Sequence, residues 1–255
     1  MKKILVGINT LTSIDQPVYS NHCQLWFRLG RGMPDFEFGF FTPRRASIDR
    51  MRNQTAEYAI AHGFNYICFI DDDVLVPFDG IQKLVADDKD IVAGWTIIRG
   101  YPFDNMIFKW NEEKNGLSKW NDLPKTEGIL EVGALGFSFA LIKTEVLKKM
   151  PPPYFVTGPY NTEDVYFCIK AQKYIEGVEV FVDLSVKTAH CLGSDYITPD
   201  NKTNFIEFYK KNYPETIEST ETGERGNDYL KMVKGETAKE IKVEDKIYIG
   251  EKVSV

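Results

Sequence analysis

Residues 66–80 read YICFIDDDVLVPFDG: five largely apolar residues run straight into three aspartates, then out through a second apolar run and a turn. An unbroken apolar run of strand length is the pattern of a strand covered on both faces, as in a parallel sheet between helices. The three acids then lie at the mouth of that sheet. Adjacent carboxylates repel one another, so the arrangement is costly unless a cation or hydrogen-bond donors offset it.

The flanking sequence fits such a sheet. KKILVGI predicts a first strand ending at Asn9-Thr10, and FEFGFFTP (36–43) a second one stopped by Pro43. Helical spacing predicts a helix over 17–30 and another over 45–63, where Ile48, Met51, Thr55, Ala56, Ala59 and Ile60 share a face and Gly63 is the stop. A short helix (78–87) and a fourth strand (90–98) follow the acids. Strand and helix in alternation argue for an α/β domain with a mostly parallel sheet, whose ligands bind outside the carboxyl ends of the strands.

From 100 to 128 the pattern loosens into an excursion around Trp110 and Trp120, then returns to strand character at 129–143 and to a helix stopped by the prolines at 151–153. A helix from Glu163, a strand at 178–184 and a loop VKTAHCLG (186–193) complete a main domain over 1–213. Residues 214–228 read as a polar linker, and 240–250 alternates Ile241, Val243, Ile247 and Ile249 against charges. This gives 214–255 the look of a small C-terminal extension, an edge strand or a partner-binding arm through which subunits would pair.

A net charge of −6 supplies no basic face for a phosphate backbone, which argues against nucleic acid as a partner. The opening MKKILVGINT is broken at Asn9, too short for a signal core or a membrane span, so the expected location is cytoplasmic. The four cysteines lack paired spacing and are expected to be reduced.

In extended backbone alternate side chains share a face, so Asp71 and Asp73 can reach one ion while Asp72 points elsewhere. Hard oxygen ligands of this kind suit Mg2+ or Mn2+ with a substrate phosphate completing the shell. The plainer alternative is that the same acids cap the next helix or face solvent.

RNQTAEYAIAHGFNYICFIDDDV (52–74) resembles the central part of the nucleotide-sugar-dependent glycosyltransferases of GT-A fold, family 2-like, in which a helix carrying Arg-Asn leads to a strand ending in D-x-D. NTEDVYFC (161–168) resembles their Glu-Asp pair near the acceptor site, and AHCLG (189–193) their late histidine. The resemblance spans about residues 1–195 and rests on the order of the three motifs.

It implies a Rossmann-like GT-A fold and transfer of a hexose from a UDP- or GDP-sugar to an acceptor hydroxyl. The implied metal ligands are Asp71, Asp73 and His190. Asp164 is the implied general base, with Glu163 as the competing base or an acceptor contact; Thr162 as N-cap followed by acids is also ordinary helix chemistry. Asn9, Thr10, Thr12, Arg44, Arg52, Asn53, Asp71, Asp72 and Gly136 are the implied donor contacts, the glycine by allowing close backbone approach.

Trp95, Trp110, Trp120 and Tyr160 are candidates to stack on sugar or simply to pack. The acceptor classes left open are glycan, lipid-linked, protein and modified base. A single-displacement, inverting outcome is favoured because a base is present, although retaining relatives share the D-x-D and histidine. An aspartate-nucleophile phosphatase also uses D-x-D after a strand, but with Thr or Val where this chain has Leu75. A sugar- or nucleotide-binding protein without turnover is the remaining alternative.

Overall fold

The computed structural model describes residues 1–213 apart from 12, 112–115 and 160. Thr12, Tyr160 and the expected extension 214–255 lie outside the described residues.

The chain begins with β1 (Lys2–Asn9), α1 (Gln16–Gly32), β2 (Phe36–Phe41), α2 (Ile48–Ala61) and β3 (Tyr66–Asp71). Val18, His22, Leu25 and Leu29 form the buried stripe of α1. α2 ends as expected at Gly63, which adopts φ +69, and the Phe64 and Gly63 amides donate to the Ala59 and Ile60 carbonyls. Only a residue without Cβ takes that left-handed turn without cost.

Next come β4 (Val74–Leu75), α3 (Gly80–Ala86), β5 (Ile91–Trp95), β6 (Ile107–Asn111), β7 (Gly116–Lys119), β8 (Ile129–Val132), β9 (Ala134–Leu135) and β10 (Phe139–Lys143). The chain continues through α4 (Thr144–Lys148), α5 (Glu163–Tyr174), β11 (Val180–Lys187), β12 (Ala189–Leu192), β13 (Asp195–Ile197) and α6 (Lys202–Asn212).

The main sheet has seven strands in the order β2-β1-β3-β10-β5-β11-β8. β2, β1, β3, β5 and β11 run parallel, while β10 and β8 run against them. The mostly parallel α/β expectation therefore holds, with two reversed strands that apolar patterning alone does not orient.

Period-two alternation divides the core. Leu5, Ile67, Phe69 and Ala93 face the side covered by α2 and α5, whereas Ile4, Val6, Cys68, Ile70 and Val92 face α1 and α3. Each fully buried aliphatic of this kind contributes roughly 1.5–3 kcal/mol.

The excursion forms the β6–β7 hairpin, joined to β9 through Ile107 and Phe108. One expectation is corrected. His190 lies on strand β12 rather than in a loop, because β12 pairs with both β4 and β13. The polar stretch after 200 carries a helix, α6, whose Phe205, Ile206 and Tyr209 pack on the core. Among the described residues no helix is long and apolar enough to cross a membrane.

Candidate active site

The three aspartates leave β3 together and then part, each to its own partner. Asp71 closes β3 and stands opposite Asn9, the last residue of β1. The chain turns through Asp72 and Asp73 into β4, which runs antiparallel to β12 with Val74 opposite His190. The Cys191 amide donates to the Asp73 carbonyl at 2.8 Å, so strand pairing carries His190 to Asp73.

His190 Nδ1 lies 2.9 Å from the Ile97 carbonyl. A carbonyl only accepts, so Nδ1 carries the hydrogen and Nε2 is turned to Asp73 Oδ2 at 3.3 Å. Arg99 brings NH1 to 2.7 Å of the same oxygen. Burial opposes the Asp73 charge, but the neighbouring His190 ring and Arg99 guanidinium outweigh it and hold the carboxyl below its ordinary range. Asp72 accepts from the Leu11 amide, while burial and Asp73 push its carboxyl upward.

Arg52 rises from the buried side of α2 and is 2% exposed. Its Nε donates to Glu163 Oε1 at 2.9 Å, NH2 to Asp71 Oδ1 at 3.1 Å and NH1 to the Phe137 carbonyl at 3.2 Å. The guanidinium also lies over the Phe69 ring. All three nitrogens are engaged by the protein, so Arg52, an expected donor contact, is bound here to two carboxylates and a backbone carbonyl. Its charge instead neutralises two carboxylates that burial would otherwise strand. Burial, Asp73 and Glu163 push the Asp71 carboxyl up while Arg52 pulls it down, and the side chain stays 26% exposed.

Asp164 stands in the first turn of α5, 5% exposed. It accepts from the Val165 amide at 2.8 Å, the Phe137 amide at 3.3 Å and the Thr162 hydroxyl. Thr162 is the N-cap residue, yet its hydroxyl serves this carboxylate rather than the helix amides. Burial and the adjoining Glu163 charge raise the Asp164 carboxyl to about 6, against the Thr162 hydrogen bond and the Arg52 charge.

A pocket of about 380 Å³ opens among Arg52, Asp71, Arg99, Glu163, Asp164 and His190. The fold thus gathers side chains from α2, β3, α5, β12 and the segment after β5. Arg99 was missed by sequence reasoning. Its signal is its place just past the end of a strand parallel to β3, the same sheet edge that carries the aspartates.

Asn9 is 3% exposed, and among the described residues both its Nδ2 and Oδ1 are buried without a hydrogen-bond partner, as is Thr10 Oγ1. Leaving such groups unpaired costs about 1–3 kcal/mol each, which a ligand or ordered water at this strand end would offset. Asn53 turns out to be structural. Its amide donates to the Asp49 and Phe155 carbonyls and accepts from the Tyr154 and Phe155 amides, so it fastens the 154–155 segment to α2 instead of meeting a donor.

Gly136 is likewise explained by packing: a Cβ there would come within 2.6 Å of the Met106 side chain. Arg44 is exposed, with its amide on Gln54. Trp95 is buried and donates to Asn105; neither it nor Trp110 or Trp120 lines the pocket.

Among the described residues no three of His, Cys, Asp and Glu converge as a ligand cluster. The expected set appears as the Asp73–His190 pair, with Asp71 drawn to Arg52. The pair still suits a divalent cation: a carboxylate faces an imidazole nitrogen whose tautomer is set from behind, and Arg99 is the charge that now neutralises that carboxylate.

No family model matches the chain, and no curated protein matches it. Solved structures do. A197 from STIV is similar with a TM-score of 0.54 at 21% identity, over 78% of this chain and 91% of that one, a likeness of fold. UDP-glucose pyrophosphorylase in its apo form superposes more loosely, with a TM-score of 0.46 at 9% identity over 85% and 99%. TarS 1–349 from S. aureus does so with a TM-score of 0.40 at 13% identity over 90% and 71%.

Proposed function

We propose that this chain is a GT-A glycosyltransferase that moves a hexose from a UDP- or GDP-sugar to an acceptor hydroxyl, with inversion and with Mn2+ or Mg2+. The observation that carries the reading is one pocket lined both by His190, whose Nε2 faces Asp73 at 3.3 Å, and by a buried carboxylate, Asp164, able to take a proton near neutral pH.

Asp164 accepts the proton of the acceptor hydroxyl as its oxygen bonds to the anomeric carbon and the bond from that carbon to the diphosphate oxygen breaks. A carboxyl held near 6 is deprotonated at pH 7 yet basic enough to pull. Asp73 and His190 would hold a divalent cation, which would supply positive charge against the leaving diphosphate.

Glu163 is committed to Arg52, so it acts by position, steadying Asp71 through that guanidinium. The unpaired Asn9 amide and Thr10 hydroxyl, with Asp72 beside them, are the donor-nucleoside contacts in this reading. Glycans, lipid-linked sugars, proteins and modified bases all present a suitable hydroxyl.

The phosphatase alternative needs a strand-end aspartate free to attack phosphorus, and Asp71 is held by Arg52 instead. A binding protein without turnover would have no use for a buried base.

The test is donor hydrolysis. The protein is incubated with UDP- and GDP-sugars and Mn2+, and released UDP or GDP is quantified. Release above the protein-free rate from one donor class is expected; none from either would overturn the reading.

A further inference from the structure

Arg99 sits at the pocket in a way that neither Arg52 nor any of the expected donor contacts does. Arg52 is 2% exposed, with every nitrogen engaged by the protein. The Arg99 side chain is 55% exposed, lines the same pocket, and reaches Asp73 Oδ2 at 2.7 Å, the oxygen that also faces His190 Nε2.

The turn that presents it is fastened from behind. The Ile98 amide donates to the Asp104 carbonyl and the Phe103 amide to the Gly100 carbonyl, while Tyr101 stacks on Tyr209 of α6. Ile97, in the same segment, supplies the carbonyl that orients His190. One short segment therefore sets the imidazole and also places a positive charge where a cation would bind.

The geometry points to Arg99 as an exchangeable counterion: it holds Asp73 until a divalent cation takes that carboxylate, and then pairs with the diphosphate that follows the cation. This rests on the transferase reading and adds to it an order of events, cation first and diphosphate second. A guanidinium suits both partners, because its planar fork matches carboxylate and phosphate alike. The long stem lets the head move between neighbours without shifting the backbone.

The exchange makes two predictions of opposite sign. Without Arg99, Mn2+ meets no competitor at Asp73 and binds more tightly, by roughly two- to fivefold, the scale of an exposed ion pair. The nucleotide then loses a charge-assisted partner and binds more weakly, by about tenfold.

The experiment is calorimetric titration of wild type, Arg99→Gln and Arg99→Lys, first with Mn2+ alone and then with UDP and GDP at saturating Mn2+. Opposite shifts in Arg99→Gln, with Arg99→Lys between it and wild type, are expected. Mn2+ binding unchanged or weakened in Arg99→Gln, or nucleotide binding unchanged, overturns the exchange. If wild type binds Mn2+ and a nucleotide and Arg99→Gln matches it, the exchange alone fails. If wild type binds neither, the transferase reading fails with it.

Discussion

Arg52 Nε and Glu163 Oε1 lie 2.9 Å apart although 111 residues separate them in the chain. The same guanidinium reaches Asp71, so one buried cation ties the end of the D-x-D strand to the first turn of α5. Removing it leaves two carboxylates beside each other without compensation. Arg52→Met should therefore destabilise the fold by about 3–5 kcal/mol in urea denaturation. The double variant Arg52→Met/Glu163→Gln should recover part of that loss, since it removes one of the stranded charges.

Asp164→Asn keeps the shape of the side chain and removes the base. Turnover should fall about 10²–10⁴-fold, the usual contribution of a general base. Mn2+-dependent nucleotide affinity should stay within twofold of wild type by calorimetry, because Asp164 is held by Phe137, Thr162 and Val165 and has no contact with the cation pair.

The pH dependence has two parts of opposite direction. Asp164 titrates at about 6 in the fold against an ordinary 3.8. Turnover should fall as pH drops through about 6, as the base becomes protonated. Between those two values the folded state binds more protons than the unfolded chain, so the Asp164 contribution to stability rises as pH falls from 6 toward 4. His22 works the other way, since burial lowers its pKa and it must charge as pH falls. The difference between wild type and Asp164→Asn melting curves across pH 4–7 isolates the Asp164 part and should slope as stated.

Gly94 on β5 has no room for a side chain: a Cβ would lie 2.7 Å from the Val186 carbonyl oxygen and 3.1 Å from Phe139. That close approach accompanies the register shift between Asp183 and Lys187 that steers β11 toward β12 and His190. Gly94→Ala should destabilise by about 1–3 kcal/mol, because backbone rather than a flexible side chain must give way. It should also weaken Mn2+ binding, whereas Gly30→Ala, with open space around it, should not.

Much of this was legible in the chain because it is local. The apolar run of β3, the acids after it and Gly63 as a helix stop depend on residues near one another in sequence, where period and turn chemistry act. The partners of those acids were not legible. Nothing next to Arg52 says that it is buried against Glu163, and an arginine on a helix reads as solvated until the sheet beneath it is known.

His190 was expected in a loop because AHCL is short and mixed in character, and only pairing with β4 and β13 makes it a strand. Asn53 belonged to the motif that suggested a donor contact, yet its amide holds the 154–155 backbone. α6 was overlooked because its apolar residues Phe205, Ile206 and Tyr209 are diluted by lysines.

In the proposed function Asp73 and His190 hold a cation for a nucleoside diphosphate. This is tested most directly by calorimetric titration of UDP and GDP, with and without Mn2+, against wild type and Asp73→Ala. The account predicts that one nucleotide binds wild type only when Mn2+ is present and does not bind Asp73→Ala under either condition. Binding that ignores Mn2+ and survives Asp73→Ala, or no binding of either nucleotide to wild type, would contradict it.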